Sequence, residues 1–137
     1  MKAMIISVTL LILMTTVPAM AVLRSGSDIK VDCSNLINTE SSESLSKEKI
    51  LGVGYCIGLI DGLVTFNYVY ETVLQAEGKR DMLQMCLPER ISTRQMATVI
   101  VKYLEDNPGR LQESAQALAA QALVTAYPCD QEVAKEN

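Results

Sequence analysis

The chain has 137 residues and a formal net charge of -4, and 49% of its residues are hydrophobic but only 4% are aromatic. It contains no His, which excludes the usual Ser-His-Asp and Cys-His nucleophile systems and imidazole metal ligands. The acidic balance argues against a nucleic-acid binder, which needs a basic surface. The length allows one domain, and an aliphatic, aromatic-poor composition favours closely packed helices over a sheet.

Residues 1–21 have the pattern of a signal peptide. Lys2 supplies a positive start, residues 4–14 are apolar, and residues 19–21 form a small-x-small cleavage pattern. The apolar stretch is too short for an ordinary membrane span. We therefore expect cleavage near Ala21, and residues 22–137 to form a single exported domain that is not held in the membrane.

The four cysteines, Cys33, Cys56, Cys86 and Cys129, form an even set in this expected exported region. Such a set predicts two disulfides, and the wide spacings without a C-x-x-C pair disfavour a zinc site. Three pairings are compatible with the sequence. The preferred prediction is a nested pair, Cys56–Cys86 inside Cys33–Cys129, which requires the chain after the main helix to fold back along it.

The first two predicted helices are separated by a polar loop. A cap at Ser27-Asp28 begins a short helix that runs to about Ile37. The main helix is expected from about Ser46 to about Gln75. A kink or break is expected within it at residues 65–70, which read locally like a strand.

The last two predicted helices have clear start signals. Ser92 and Gln95 form a capping box at the start of the third helix, which ends near Asn107. Asn107 is then expected to cap the fourth helix, with Pro108 at its first position, and that helix runs to about Ala126. The positions expected to face inward on the fourth helix are Leu111, Ala115, Leu118, Ala122, Leu123 and Ala126. The predicted fold is an all-α, disulfide-bridged bundle with one short and three longer helices.

Gly54, Gly58 and Gly62 recur every four residues on one face of the main helix. Because Gly costs about 1 kcal/mol relative to Ala in a helix interior, this pattern indicates the close approach of another helix, within the bundle or across a dimer. A membrane-embedded pairing helix is disfavoured because Asp61 interrupts the apolar run. Asp61 is interpreted as a buried carboxylate held by a cap or an Arg rather than as a catalytic acid.

Several motifs together resemble those of the Rap/Tai family of immunity proteins. The resemblance covers roughly residues 28–129, and Leu59 stands where other members often have an aromatic residue. The matching motifs are residues 56–62 (CIGLIDG), residues 86–88 (CLP), Ser92 with Gln95, and residues 126–129 (AYPC).

The resemblance implies a function as well as a fold. Members are small helical proteins of the periplasm, often homodimeric, without cofactor or metal. Those characterised bind peptidoglycan amidase effectors that neighbouring cells deliver by type VI secretion, and they occlude the catalytic cleft without doing chemistry. The resemblance thus predicts a periplasmic immunity protein that binds an amidase effector and forms a homodimer.

The residues that contact the effector are not part of the shared motifs. From exposure and charge, we expect them in the segment between the second and third helices. The candidate contact residues are Glu77, Lys79, Arg80, Asp81, Glu89 and Arg90.

Three other functions compete with the immunity function. The first is a periplasmic helical chaperone or stress protein without a toxin partner. The second is a carrier of a small apolar ligand, which the Gly- and Ala-rich helices disfavour because they leave little room for a cavity. A metal-dependent or hydrolytic enzyme comes last, since no nucleophile, base and orienting group are assembled in the sequence.

Overall fold

The computed structural model describes residues 24–39, 45–77 and 84–129. Within these ranges the chain forms four α-helices and no β-strand, which confirms the all-α prediction. The predicted signal peptide, residues 1–21, lies outside the described residues. One short and three longer helices were expected, but the structure has one long helix and three shorter ones. The helices are α1 (Gly26–Asn38), α2 (Lys47–Glu77), α3 (Thr93–Asp106) and α4 (Ala115–Ala126), with a 3-10 turn at Pro108–Arg110.

Helix α1 is held at both ends by side chains. Ser25 and Asp28 form a capping box at its start, so the cap lies two residues before the predicted one at Ser27. At its other end, where α1 has no basic residue in the last turn, Arg94 of α3 donates hydrogen bonds to the carbonyl oxygens of Ile37 (2.7 Å) and Thr39 (3.0 Å). This guanidinium satisfies carbonyls that a helix end leaves without partners.

Helix α2 is continuous over 31 residues, so the expected break at residues 65–70 does not occur. The strand-like composition there is overridden by tertiary contact. The Asn67 amide accepts a hydrogen bond from the Met85 N–H (2.8 Å) and donates one to the Met85 carbonyl (2.9 Å). The chain after α2 therefore does return to this helix, but it reaches Asn67 rather than Cys56.

The start of α3 was predicted correctly and the start of α4 was not. Ser92 and Gln95 form the expected capping box. Asn107, however, makes no capping hydrogen bond to the segment that follows, and Pro108–Arg110 form a 3-10 turn instead of a helical turn. Helix α4 begins after Ser114, whose hydroxyl caps it. A Pro fits the first position of a short 3-10 turn as well as that of an α-helix, so Asn107 and Pro108 did not identify the start of α4.

The disulfides pair Cys33 with Cys56 and Cys86 with Cys129, at Cα–Cα distances of 5.3 and 5.0 Å. The predicted nested pairing was wrong. Helices α1 and α2 pack directly on each other, which brings the first pair together. The second pair meets because the Cys86 N–H donates to the Tyr127 carbonyl (2.9 Å) at the end of α4. Packing of neighbouring segments therefore decides the pairing, and the length of the enclosed loop does not.

The core is aliphatic, as the composition predicted. Of the positions expected to face inward on the fourth helix, Ala115, Leu118, Ala122 and Leu123 are buried and Ala126 is exposed, whereas Leu111 lies before α4 and is half-buried. The small alanines let α4 approach α3 and α1 closely. The largest fully buried aliphatic side chains are Ile29, Ile60, Ile100, Leu104, Leu118 and Leu123.

Candidate functional site

Three of the six candidate contact residues for a partner lie outside the described residues. Lys79, Arg80 and Asp81 are not described, and Glu77 is described only as the last residue of α2. Glu89 and Arg90 are exposed in the turn that leads into α3. The structure thus places two of the six predicted residues, and it places them side by side on the surface.

The turn that carries Glu89 and Arg90 is anchored on both sides. Before it, Met85 is bound to α2 through the two hydrogen bonds of Asn67. Cys86 is joined to the end of α4 by its disulfide and by a backbone hydrogen bond. The capping box of α3 follows directly after the turn. The two charged side chains are therefore displayed from a backbone whose position is set by α2, α3 and α4.

A polar cluster that the sequence analysis missed joins the chain before α1 to α2 and α4. Asp32 of α1 is buried and pairs with Arg24. Burial raises the pKa of Asp32, and the Arg24 charge opposes that rise. The Arg24 guanidinium also lies over the Tyr55 ring, 4.7 Å from its centroid, and the Tyr55 hydroxyl accepts a hydrogen bond from Gln116 of α4 (2.9 Å). This cluster fixes the region just before α1 against three helices.

The interpretation of Asp61 as a buried acid was wrong, because Asp61 is exposed on α2. Apolar neighbours in the sequence suggested burial, but on α2 many of those neighbours are themselves exposed. The buried acid of this bundle is Asp32, which lies next to the buried Cys33. Cys33 was expected on the inner face of the first helix, so the position of Asp32 next to it could have identified Asp32 as the buried acid.

The side of α2 that points away from the bundle carries the glycines, and we call it the outward face. A Cβ added at Gly54, Gly58 or Gly62 would meet no atom within 4 Å. Packing against another helix of the same bundle, one of the two predicted roles of the glycines, therefore does not occur among the described residues. The exposed large apolar side chains of α2 are Ile50, Leu51, Ile57, Phe66, Tyr68, Val69 and Val73.

Part of α2, Lys47–Val73, is long and apolar enough to cross a membrane by length and composition alone. Core helices of soluble proteins pass the same test, so the finding is weak by itself. In this protein the inner side of α2 holds Cys56, Ile60 and Asn67 in buried contacts with the rest of the bundle. The apolar surface that needs an explanation is the outward face.

The described residues contain no group of three or more His, Cys, Asp or Glu side chains that could hold a metal ion. All four cysteines are in disulfides. Among the described side chains, every buried nitrogen and oxygen has a hydrogen-bond partner. The features of the described residues that could bind a partner are therefore two surfaces. One is the anchored turn that carries Glu89 and Arg90, and the other is the apolar outward face of α2.

Comparison with known proteins identifies the family. The chain matches the Rap1a immunity proteins over residues 25–129, from the N-cap of α1 to the last cysteine. No curated protein and no solved structure matches the chain. The family match covers well over half of the chain and agrees with the resemblance seen in the sequence motifs. The chain therefore belongs to the family of Rap1a immunity proteins.

Proposed function

We propose that this immunity protein acts in the periplasm, where it binds a peptidoglycan amidase effector delivered by type VI secretion and covers its catalytic cleft. The observation that carries the proposal is the family match over residues 25–129. Two disulfides support an oxidising compartment, because such bonds are rare in the reducing cytosol. The signal-peptide pattern of residues 1–21 supports export to the same compartment.

The proposed contact surface is centred on the charged segment that precedes α3. Glu89 and Arg90 offer one charge of each sign on a turn whose backbone is anchored to its neighbours. A preorganised surface loses less conformational entropy on binding than a free loop does. Charges at the edge of such a contact mainly accelerate association and select the partner.

We also propose that the protein works as a homodimer. The outward face of α2 supports this proposal because it leaves large apolar side chains and glycines uncovered in the described part of one copy.

Survival of cells that make the toxin tests the function. A candidate peptidoglycan amidase effector is directed to the periplasm, together with either the full chain or a version lacking residues 1–21. The proposal predicts that the full chain protects the cells and that the shortened version does not. An amidase with its catalytic nucleophile replaced is the control and should kill in neither case. Equal killing with both versions of the protein would contradict the proposal.

A chaperone is the second candidate, because the outward face of α2 exposes the kind of apolar surface that binds unfolded chains. A chaperone would suppress the aggregation of several unrelated unfolded proteins, and it would do so without an amidase present. An immunity protein would leave their aggregation unchanged and bind one enzyme. Light scattering of heated client proteins distinguishes the two.

A further inference from the structure

The described part of the chain buries two polar or charged side chains, Asp32 and Asn67. Asp32 is paired with the charged side chain of Arg24. Asn67 has a different kind of partner, because its amide is bonded to the backbone of a residue outside the helices. Asn is also one of the weaker helix formers, although this one lies within the long helix α2. Its presence there therefore needs an explanation other than helix formation.

The amide of Asn67 pairs with both backbone groups of Met85. Its Oδ1 accepts from the Met85 N–H (2.8 Å), and its Nδ2 donates to the Met85 carbonyl (2.9 Å). A side-chain amide offers a donor and an acceptor side by side, so the pair resembles one hydrogen-bonded rung of an antiparallel ladder. Met85 is itself buried. Without Asn67, its N–H and carbonyl would lose their partners in a place that is costly for unpaired polar groups.

The same short segment is held on its other side by the end of α4. Met85 forms an isolated antiparallel bridge with Pro128, and the Cys86 N–H donates to the Tyr127 carbonyl (2.9 Å). The disulfide joins Cys86 to Cys129, which follows the last residue of α4 by three positions. The segment therefore lies between α2 and the chain that follows α4.

The turn that displays Glu89 and Arg90 follows Met85 after three residues. The Pro88 carbonyl accepts a hydrogen bond from the Ile91 N–H (3.2 Å) and closes the turn, and the capping box of α3 follows directly. Because so little chain separates Met85 from the turn, a shift of the Met85 backbone would move the two charged residues with it.

We propose that Asn67 is a positioning residue for partner binding: by fixing the Met85 backbone to α2, its amide holds the turn at Glu89 and Arg90 in the conformation that contacts the effector. This role rests on the proposed function, and it makes the affinity depend on a residue outside the contact surface. Asn67 is buried, so it acts through Met85 and does not touch the partner. A turn that is already held in its bound conformation loses less entropy when it binds.

Removing the amide tests this role. Asn67→Leu has a similar size but can form neither hydrogen bond, whereas Asn67→Asp keeps an acceptor for the Met85 N–H and, as a carboxylate, cannot donate to the carbonyl. Binding to a candidate peptidoglycan amidase effector is measured by isothermal titration calorimetry. We expect the dissociation constant to rise roughly 10-fold for Asn67→Leu and by less for Asn67→Asp. If Asn67→Leu does not fold, Asn67→Asp carries the test. Folded variants that bind as tightly as the wild type would overturn the inference.

Gly52→Ala separates positioning from a general loss of stability. Its Cβ would crowd Asp32, so it should destabilise the bundle at a place fifteen residues from Asn67, or about 22 Å along α2. Urea unfolding measures the stability of each variant, and binding is measured where all of them are folded. We expect the dissociation constant of Gly52→Ala to stay within about 2-fold of the wild type. If Gly52→Ala weakens binding as much as the Asn67 variants do, the effect is one of stability and the inference is overturned.

A double-mutant cycle tests whether Asn67 acts on the turn. Replacing Glu89 and Arg90 together with Ala should weaken binding roughly 10-fold in the wild type and less than about 3-fold in Asn67→Leu, because a loosened turn no longer presents the charges. Equal fold losses in the two backgrounds would overturn the inference. Unchanged binding after the charges are removed from the wild type would also overturn it, since the turn would then not be the contact.

Hydrogen exchange tests the positioning without the effector. In Asn67→Leu, the amides of Met85 and of residues 89–91 should exchange at least about 10-fold faster than in the wild type, whereas the amide of the buried Ile100 in α3 should not change. Equal exchange in the two proteins would overturn the inference. A wild-type protein that shows the expected exchange but neither binds nor inhibits the amidase would overturn the proposed function and the partner-binding role together. Binding that is insensitive to Asn67 would overturn the role alone and leave the function standing.

Discussion

Gly52 of α2 lies so close to Asp32 of α1 that a Cβ added to the glycine would be 2.9 Å from the carboxyl carbon. No side chain has room at this position. The contact also explains how an aspartate can be buried between two helices, because the missing side chain leaves space for the carboxylate and its partner Arg24. Gly52 is thus the one glycine of α2 with a demonstrable packing role inside the bundle.

This contact predicts opposite effects of the same substitution at two neighbouring glycines. Gly52→Ala should lower the free energy of unfolding by about 1–3 kcal/mol, because the methyl group overpacks against Asp32. Gly54→Ala, which adds a methyl group in open space, should raise it by up to about 1 kcal/mol through helix propensity. Urea unfolding of dilute, monomeric protein measures both. Equal stabilisation by the two substitutions would show that Asp32 does not pack on Gly52.

Arg94 is predicted to stabilise the bundle by holding the end of α1. Arg94→Ala removes the two hydrogen bonds to the Ile37 and Thr39 carbonyls and should cost about 1 kcal/mol. Arg94→Lys keeps the charge near the helix end but not the two-pronged geometry, so it should recover only part of the loss. Lys102→Ala, on the exposed side of the same helix, is the control and should change the stability by less than about 0.5 kcal/mol. Thermal melts at equal concentration check the order of the three variants.

Asp28 is predicted to make part of the stability depend on pH. Its pKa is lowered first by the hydrogen bond from the Ser25 backbone N–H (2.9 Å) and then by the Ser25 hydroxyl (2.8 Å). Because folding favours the charged form, its stabilisation is present above about pH 4 and is lost as the pH falls through the folded pKa. Asp28→Asn should therefore be less stable than the wild type near neutral pH, and the difference should shrink in acid. A difference that stays constant from neutral pH to acid would contradict this role.

The two disulfides are predicted to open in a fixed order. Cys33 and Cys56 are fully buried, whereas Cys86 is exposed and Cys129 is half-buried. A mild thiol reductant should therefore open Cys86–Cys129 first, because attack requires access to sulfur. Mass spectrometry of alkylated, digested protein reads the order directly. Labelling of Cys33 or Cys56 before the other pair would contradict it.

The disulfides should also differ in their contribution to stability. They separate cysteines by 23 and 43 residues along the chain, and the loop-entropy model assigns roughly 3.5 and 4 kcal/mol to bridges of such lengths. The double variant Cys86→Ser/Cys129→Ser should lose about 4 kcal/mol. Replacing the buried pair Cys33 and Cys56 with Ser should cost more than about 4 kcal/mol, and so more than the other double variant, because the burial of two hydroxyl groups adds to the roughly 3.5 kcal/mol of the lost bridge. Urea unfolding of the two double variants measures both losses, and a smaller loss for the buried pair would contradict this order.

The local signals in the sequence predicted much of the fold. The capping box of Ser92 and Gln95 marked the start of α3, and the helical spacing of Leu118, Ala122 and Leu123 marked the buried face of α4. Such signals act within one or two helical turns, so a sequence displays them directly. The disulfide pairing could not be predicted in the same way, because spacing gives the length of a loop but not which segments lie side by side.

The candidate surfaces were harder to predict than the fold. The glycine row indicated a close helix contact, but the sequence could not tell whether the other helix lay in the same chain. Asp61 and Asn67 both interrupt the apolar run of α2, yet one is exposed and the other is buried against Met85. Which side of α2 faces the bundle decides whether each residue is buried, and this depends on long-range contacts that the local sequence does not display.

Inhibition of the purified enzyme tests the central claim most directly. The folded, disulfide-bonded protein is titrated into a candidate peptidoglycan amidase effector, and the release of cleaved peptide from peptidoglycan is followed. If the protein is an immunity protein that covers the catalytic cleft, activity falls in proportion to added protein and is lost at one chain per enzyme. Full amidase activity in the presence of a molar excess of the folded protein would contradict the account.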